Sequence, residues 1–202
     1  MPLPDDAIRG SASPSPDKPA DWSDHSYYLA MRDGVRLAVS LYFPEHVPPI
    51  IASHILLVLT RYGRASARRS GDPSAVDPWL QVGYVVAIVD VRGTTSSFGS
   101  RDSELGPDEQ RDAEEIIAHL AGQPWATGKV IMTGVSYTGN TADMATTRLA
   151  PALVGVIPRQ TDFDFWELLW PGGIPMTRCS STGPPAFMRS TSAARARARA
   201  RS

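Results

Sequence analysis

Short apolar runs of strand length recur along this chain, separated by stretches with helical spacing. Residues 27–31 (Tyr-Tyr-Leu-Ala-Met) read as a strand, Arg32-Asp33-Gly34 as a turn, and residues 35–43 alternate apolar and polar positions as a half-buried strand does. Asp-Gly suits that turn, because hairpin turns need a positive φ that these residues tolerate. Pro44 ends the second strand, so an antiparallel pair is expected at the start of the domain. Four further runs, 55–59, 84–89, 130–133 and 153–157, are short and rich in Val, Ile and Leu. Runs of that kind predict strands buried on both faces of a parallel sheet. A helix is expected over 108–121: Pro107 and the acids Asp108, Glu109 and Asp112 open it, and Ala113, Ile116, Ile117 and Leu120 form its apolar stripe. Gly122 and Pro124 end it, and a second helix is expected from Tyr137 to about Leu149, before Pro151. Two antiparallel strands followed by β-α units make the class α/β.

Composition divides the chain into three parts. Residues 1–25 form a Pro-, Ser- and Asp-rich leader that is expected to be disordered. The leader has neither the basic start nor the apolar stretch of a signal peptide, and no run approaches the roughly 20 apolar residues that span a bilayer. A cytoplasmic location without membrane contact is the expectation. Residues 26–176 carry the domain. Residues 177–202 turn abruptly to Ser and Pro, then to an Ala-Arg dipeptide repeat with no coherent apolar face, and read as a disordered tail.

Charge follows the same division. The net charge is −1, but six of the 20 basic residues are arginines within 178–202, a stretch without acids. The rest of the chain is acidic, and the tail has no aromatic stretch to stack on bases, which argues against a nucleic-acid partner. Cys179 is the single cysteine, so neither an intrachain disulfide nor a cysteine-based zinc site exists.

The candidate chemistry lies at Gly134-Val135-Ser136-Tyr137-Thr138-Gly139, a one-residue variant of G-x-S-x-G with Thr138 where that motif has its second glycine. A strand leads in and a helix leads out. That context points to a nucleophile elbow, a sharp turn that holds a serine exposed at the top of a sheet. The alternative is a Gly/Ser turn that only joins strand to helix. Neither a P-loop nor a G-x-G-x-x-G dinucleotide site is present. A serine nucleophile needs two donors for the oxygen that gains charge. The N–H of Tyr137, at the helix start, is the natural first. Tyr62, in the loop Thr60-Arg61-Tyr62-Gly63-Arg64, can give its hydroxyl as the second or be a packing aromatic at a strand end.

Five motifs in order then resemble the Xaa-Pro dipeptidyl-peptidase/cocaine-esterase family of α/β-hydrolases: Met31-Arg32-Asp33-Gly34-Val35-Arg36-Leu37; Arg61-Tyr62-Gly63-Arg64; Asp90-Val91-Arg92-Gly93 with Ser96-Ser97-Phe98-Gly99; Gln123-Pro124-Trp125 with Gly128-Lys129-Val130; and the elbow. The resemblance covers residues 27–176. It implies a partial α/β-hydrolase fold: a mostly parallel sheet, flanking helices and an N-terminal antiparallel hairpin. It implies a serine hydrolase acting on ester or amide bonds through an acyl-enzyme on Ser136, with Tyr62 and Tyr137 forming the oxyanion hole. A small ester or peptide would be the substrate, with no metal or organic cofactor. Asp90 and Arg92 would tie the loop beside the site, and residues 166–175 would begin the family's helical cap.

One part of that machinery is missing from the pattern. In this fold the triad runs Ser, then Asp or Glu, then His. Here His25, His46, His54 and His119 all precede Ser136, whereas Asp143, Asp162, Asp164 and Glu167 follow it. His54 should lie at the sheet edge opposite the elbow, and His119 on a surface or half-buried helix position. The sequence thus reads as the N-terminal part of a hydrolase whose frame departs near Met176, lacking its triad Asp and His, with a second chain as one way to complete the triad. The other reading is a non-catalytic fragment or binding module that keeps the half-pocket around Ser136.

Overall fold

In the computed structural model, which describes residues 23–44, 52–65, 76–162, 164 and 171–174, six strands form one sheet. They are β1 (Ser23–Ala30), β2 (Arg36–Phe43), β3 (Ser53–Thr60), β4 (Val85–Asp90), β5 (Ala126–Val135) and β6 (Leu153–Arg159), in the spatial order β1-β2-β4-β3-β5-β6. β1 pairs antiparallel with β2 and β2 with β4, whereas β3, β4, β5 and β6 are joined by parallel pairings. The expected hairpin and mostly parallel sheet are both present. β1 begins at Ser23, inside the stretch read as leader, because Ser23 and Asp24 pair with Phe43 and Tyr42. The rest of the leader, the 177–202 tail and residues 166–170 and 175 of the expected cap start lie outside the described residues.

The alternation within the strands sorts side chains into two cores. Ile55, Leu57 and Leu59 of β3 face a large cluster with Ala113, Ile116, Ile117 and Leu120 of α2 (Pro107–Ala121), while Leu56 and Val58 face the opposite cluster with Val76 and Leu80. Leu80 belongs to α1 (Asp77–Gln81), five residues that periodicity could not reveal because they complete little more than one turn. All six residues of β4 are buried, as expected for a central parallel strand.

β6 departs from the expectation of burial on both faces. Its pairing among the described residues is with β5, and Val154 and Ile157 are 55% and 44% exposed. An apolar run reports that a strand is meant to be covered, not which neighbour covers it. The helix after the elbow, α3 (Tyr137–Ala145), is also shorter than expected: Thr146–Arg148 tighten into a 3₁₀ turn, and Leu149 takes a left-handed conformation at φ 51°. Among the described residues, no helix is long and apolar enough to cross a membrane.

Parallel strands bring their carboxyl ends to one edge of the sheet, where open α/β folds place their sites. Here that edge carries Arg61 and Tyr62 after β3, Val91 and Arg92 after β4, Ser136 after β5 and Gln160 to Asp162 after β6.

Candidate active site

β5 ends at Val135 and α3 begins at Tyr137, leaving Ser136 alone in the turn, exposed, at φ 58° and ψ −129°. That backbone conformation is costly for any residue with a Cβ, and such strain persists only where the surroundings impose it. The surroundings here are explicit. The Ser136 N–H donates to the Arg159 carbonyl at 3.1 Å, and the Ser136 carbonyl accepts from the Asn140 N–H at 2.9 Å. Strand and helix also meet too closely for side chains: a Cβ on Gly134 would sit 2.3 Å from the Thr138 carbonyl carbon, and one on Gly139 2.8 Å from the Arg159 carbonyl oxygen. Thr138 has its own use at the position where the usual motif has glycine. Its hydroxyl donates to the Val135 carbonyl and accepts from the Val135 N–H, both at 2.8 Å, and so fastens the turn. Ser136→Gly should therefore stabilise the fold by about 1 kcal/mol, because relief of strain outweighs the extra chain entropy of glycine. Urea denaturation of the two proteins measures it, and an equal or lower midpoint for the glycine variant would mean that the turn is unstrained.

Of the two expected oxyanion donors, Tyr137 directly follows this serine and Tyr62 packs beside the Tyr137 ring. The Tyr137 N–H lies in the first turn of α3, where no intrahelical acceptor exists. The Tyr62 ring, 51% exposed, packs edge-on against the Tyr137 ring with centroids 6.1 Å apart. The Tyr137 side chain itself points inward and is 2% exposed. Its hydroxyl donates to Glu109 Oε1 at 3.0 Å and accepts from Arg101 Nη1 at 2.9 Å. Burial, with the Glu109 charge second, pushes the Tyr137 phenol well above its ordinary range, so it keeps its proton. Burial also raises Glu109, although Arg101 and the Leu105 N–H pull the other way.

The loop after β4 is a brace. The buried Asp90 carboxylate accepts from the Arg64 N–H at 2.7 Å and from Arg64 Nη1 at 3.0 Å. Ser97 bridges from its hydroxyl to the Asp90 carbonyl, and takes the Ala38 N–H at 2.9 Å. Arg92, 4% exposed, forks onto Asp112 with two bonds of 2.7 Å and reaches Asp33 at 2.7 Å. Hairpin, loop and α2 are thus joined by one guanidinium.

None of the described histidines reaches the elbow. His54 lies near the start of β3, bonded to Thr127 near the start of β5, at the opposite edge from Ser136. His119 is half-buried on α2 against Tyr27, with its pKa lowered by burial, and His25 sits on the edge strand β1 against Phe43. His46 lies outside the described residues. Of the acids that follow the serine, Asp162 is brought to the site's side of the sheet: it exchanges two hydrogen bonds with Asn140 of α3, at 3.2 and 3.1 Å. Sequence reasoning missed Arg61, Arg101, Glu104 and Glu109 as supports of the site. The one available signal was the density of charge in 101–109, which reads equally well as a solvated loop and helix start.

With this geometry in hand, the chain matches the X-Pro dipeptidyl-peptidase family (S15) over residues 33–201. The chain belongs to that family. It is 36% identical over 165 residues to a Mycobacterium bovis protein whose name places it among serine esterases, covering 74% of this chain and 26% of that one. With the cocaine esterase of a Rhodococcus strain the identity is 35% over 150 residues, covering 72% and 25%. Among solved structures it resembles an α-amino acid ester hydrolase, with a TM-score of 0.62, 28% identity, and 76% of this chain against 30% of that one. The chain therefore spans about a quarter of the length of the curated relatives it matches. The fold is that of the α/β-hydrolases.

Proposed function

We propose that this S15-family chain carries the nucleophile and oxyanion hole of a serine hydrolase. Ser136 Oγ attacks the carbonyl carbon of an ester or amide, the carbonyl electron pair moves to oxygen, and that oxyanion is bound by the Tyr137 N–H and the Tyr62 hydroxyl. Collapse expels the alcohol or amine, which takes up the proton lost by the serine, and water later releases the acid. The observation that carries this reading is the exposed Ser136 at φ 58° between β5 and α3. The esterase and ester-hydrolase names of its relatives support the substrate class. Because His25, His54 and His119 are turned to other tasks, the proton acceptor is assigned to polypeptide other than the described residues, as is the carboxylate that would orient it.

A fluorophosphonate probe tests the nucleophile: with imidazole added as the proton acceptor that the chain does not supply, the 202-residue protein should be labelled on Ser136, and Ser136→Ala should not. A p-nitrophenyl ester tests the base. Losing triad members leaves at most about 10³–10⁴-fold over water, so the chain alone should show negligible turnover, unchanged in Ser136→Ala. Clear turnover that disappears in Ser136→Ala would instead return the base to one of the four histidines or to a second copy. Absence of labelling would favour the binding-module reading, in which the half-pocket is retained without chemistry.

A further inference from the structure

Tyr62 poses a problem that its neighbours solve. A side chain that is 51% exposed is held by little packing, yet an oxyanion donor has to be fixed before the reaction. A phenol hydroxyl also has two in-plane directions for its hydrogen, only one of which can serve the site. Arg61 addresses both. Its Nη2 lies 3.3 Å from the Tyr62 hydroxyl oxygen, and a guanidinium can only donate, so the Tyr62 oxygen accepts there. The phenol hydrogen is thereby turned away from Arg61. The guanidinium carbon also lies over both rings, 5.1 Å from the centroid of Tyr62 and 4.6 Å from that of Tyr137. Such cation–π contacts hold an exposed ring in place.

Arg61 is itself anchored. Its Nη1 pairs with Glu104, whose side chain is 7% exposed and whose other oxygen pairs with Arg101 at 3.2 Å, and Arg101 in turn bonds the Tyr137 hydroxyl. Burial opposes the Arg61 charge, and the Glu104 carboxylate more than offsets that, so the guanidinium stays protonated. A continuous chain of donors and acceptors runs from the Tyr62 hydroxyl through Arg61, Glu104 and Arg101 to the Tyr137 hydroxyl. Its two ends are the residues that supply the two oxyanion donors.

We infer that Arg61 is a positioning residue for the oxyanion hole, setting the direction of the Tyr62 O–H and the spacing of the Tyr62 and Tyr137 rings. It touches no reacting atom and acts through Tyr62. This inference rests on the proposed role of Ser136 and Tyr62, and the experiment separates the two. The rate of Ser136 phosphonylation by a fluorophosphonate, with imidazole added as proton acceptor, is measured for the full chain, Arg61→Met, Arg61→Lys, Tyr62→Phe and the double variant Arg61→Met/Tyr62→Phe. The phosphoryl oxygen gains charge in that reaction where an ester carbonyl oxygen would.

Tyr62→Phe should slow labelling by about 10²-fold, the scale of one lost oxyanion donor. Arg61→Met should slow it by about tenfold, the scale of one charged hydrogen bond, and Arg61→Lys should recover part of that. In the Tyr62→Phe background Arg61→Met should have no further effect. A tenfold loss that persists in that background would overturn the inference, since misfolding or a through-space charge effect acts whether or not the hydroxyl is there. Equal labelling rates for Arg61→Met and the parent chain would overturn it too. If the parent chain is not labelled on Ser136 at all, the hydrolase reading fails and the inference falls with it.

Discussion

Arg92→Met is expected to lower the stability of the folded chain by about 3 kcal/mol, the lower end of what breaking a buried ion pair costs. The methionine keeps much of the volume, so the loss reports the charge. Asp112 is buried and takes two bonds from Arg92, and without them it keeps, among the described residues, Arg32, whose Nη1 lies 2.8 Å away. That remaining partner is why the lower end of the range applies. Asp33 loses its bond to Arg92 as well, but at 40% exposure water replaces it cheaply. Urea unfolding of both proteins gives the difference, and a change under 1 kcal/mol would mean that Arg32 alone satisfies Asp112.

A second signature follows from pH. The Arg92 hydrogen bond holds the Asp33 carboxyl below its ordinary value of 3.8. A depressed folded-state pKa gives stability that is present above the unfolded value and lost as pH falls through the folded one. The parent chain should therefore lose stability more steeply than Arg92→Met below about pH 4, and the gap between them should narrow there.

Gly134→Ala should have an effect of similar size and a different character. The added methyl would lie 2.3 Å from the Thr138 carbonyl carbon and 2.4 Å from both Thr138 oxygens. Two of these atoms are backbone, so no rotamer change relieves the clash. The turn has to open, which breaks the Thr138 bonds to Val135 and moves Ser136 off its seat. Overpacking of this kind costs up to about 3 kcal/mol, with loss of the Ser136 conformation besides. The measurement is a thermal melt combined with fluorophosphonate labelling. A variant that melts as the parent does and labels at the same rate would show that the elbow tolerates a side chain at that position. Gly155 of β6 is a useful control, because nothing lies within 4 Å of the place its Cβ would take.

Several parts of the site are legible in the sequence, and the reasons are local. The strand-turn-helix context around Ser136 depends on a few consecutive residues, and small residues at Gly134 and Gly139 announce close approach. The hairpin, the strands β2, β3 and β4, and α2 follow from apolar periodicity, which is also a local property. The supports of the site were not legible. Glu104 and Arg101 are separated from Arg61 by about 40 residues, and no spacing rule pairs them. Thr138 is a departure from the motif in sequence, whereas in the fold its hydroxyl bonds both polar groups of Val135. α1 was too short for any periodicity to reveal.

The sequence by itself determined the α/β class, the hairpin, the position of the elbow and the identity of its serine, because each is set by residues that are neighbours along the chain. It also determined that no histidine follows Ser136. Tertiary structure alone decided which charges meet. Arg92 became the joint of hairpin, loop and α2, Arg61 came over the two tyrosines, and Asp162 was brought to Asn140. It also decided that, among the described residues, β6 pairs only with β5 and leaves Val154 and Ile157 exposed, although its apolar run looked like that of a central strand. The physical reason is the same in each case. Hydrophobic pattern fixes which face of an element seeks cover, whereas strand order and long side chains reaching across it fix what that face and its charged ends encounter.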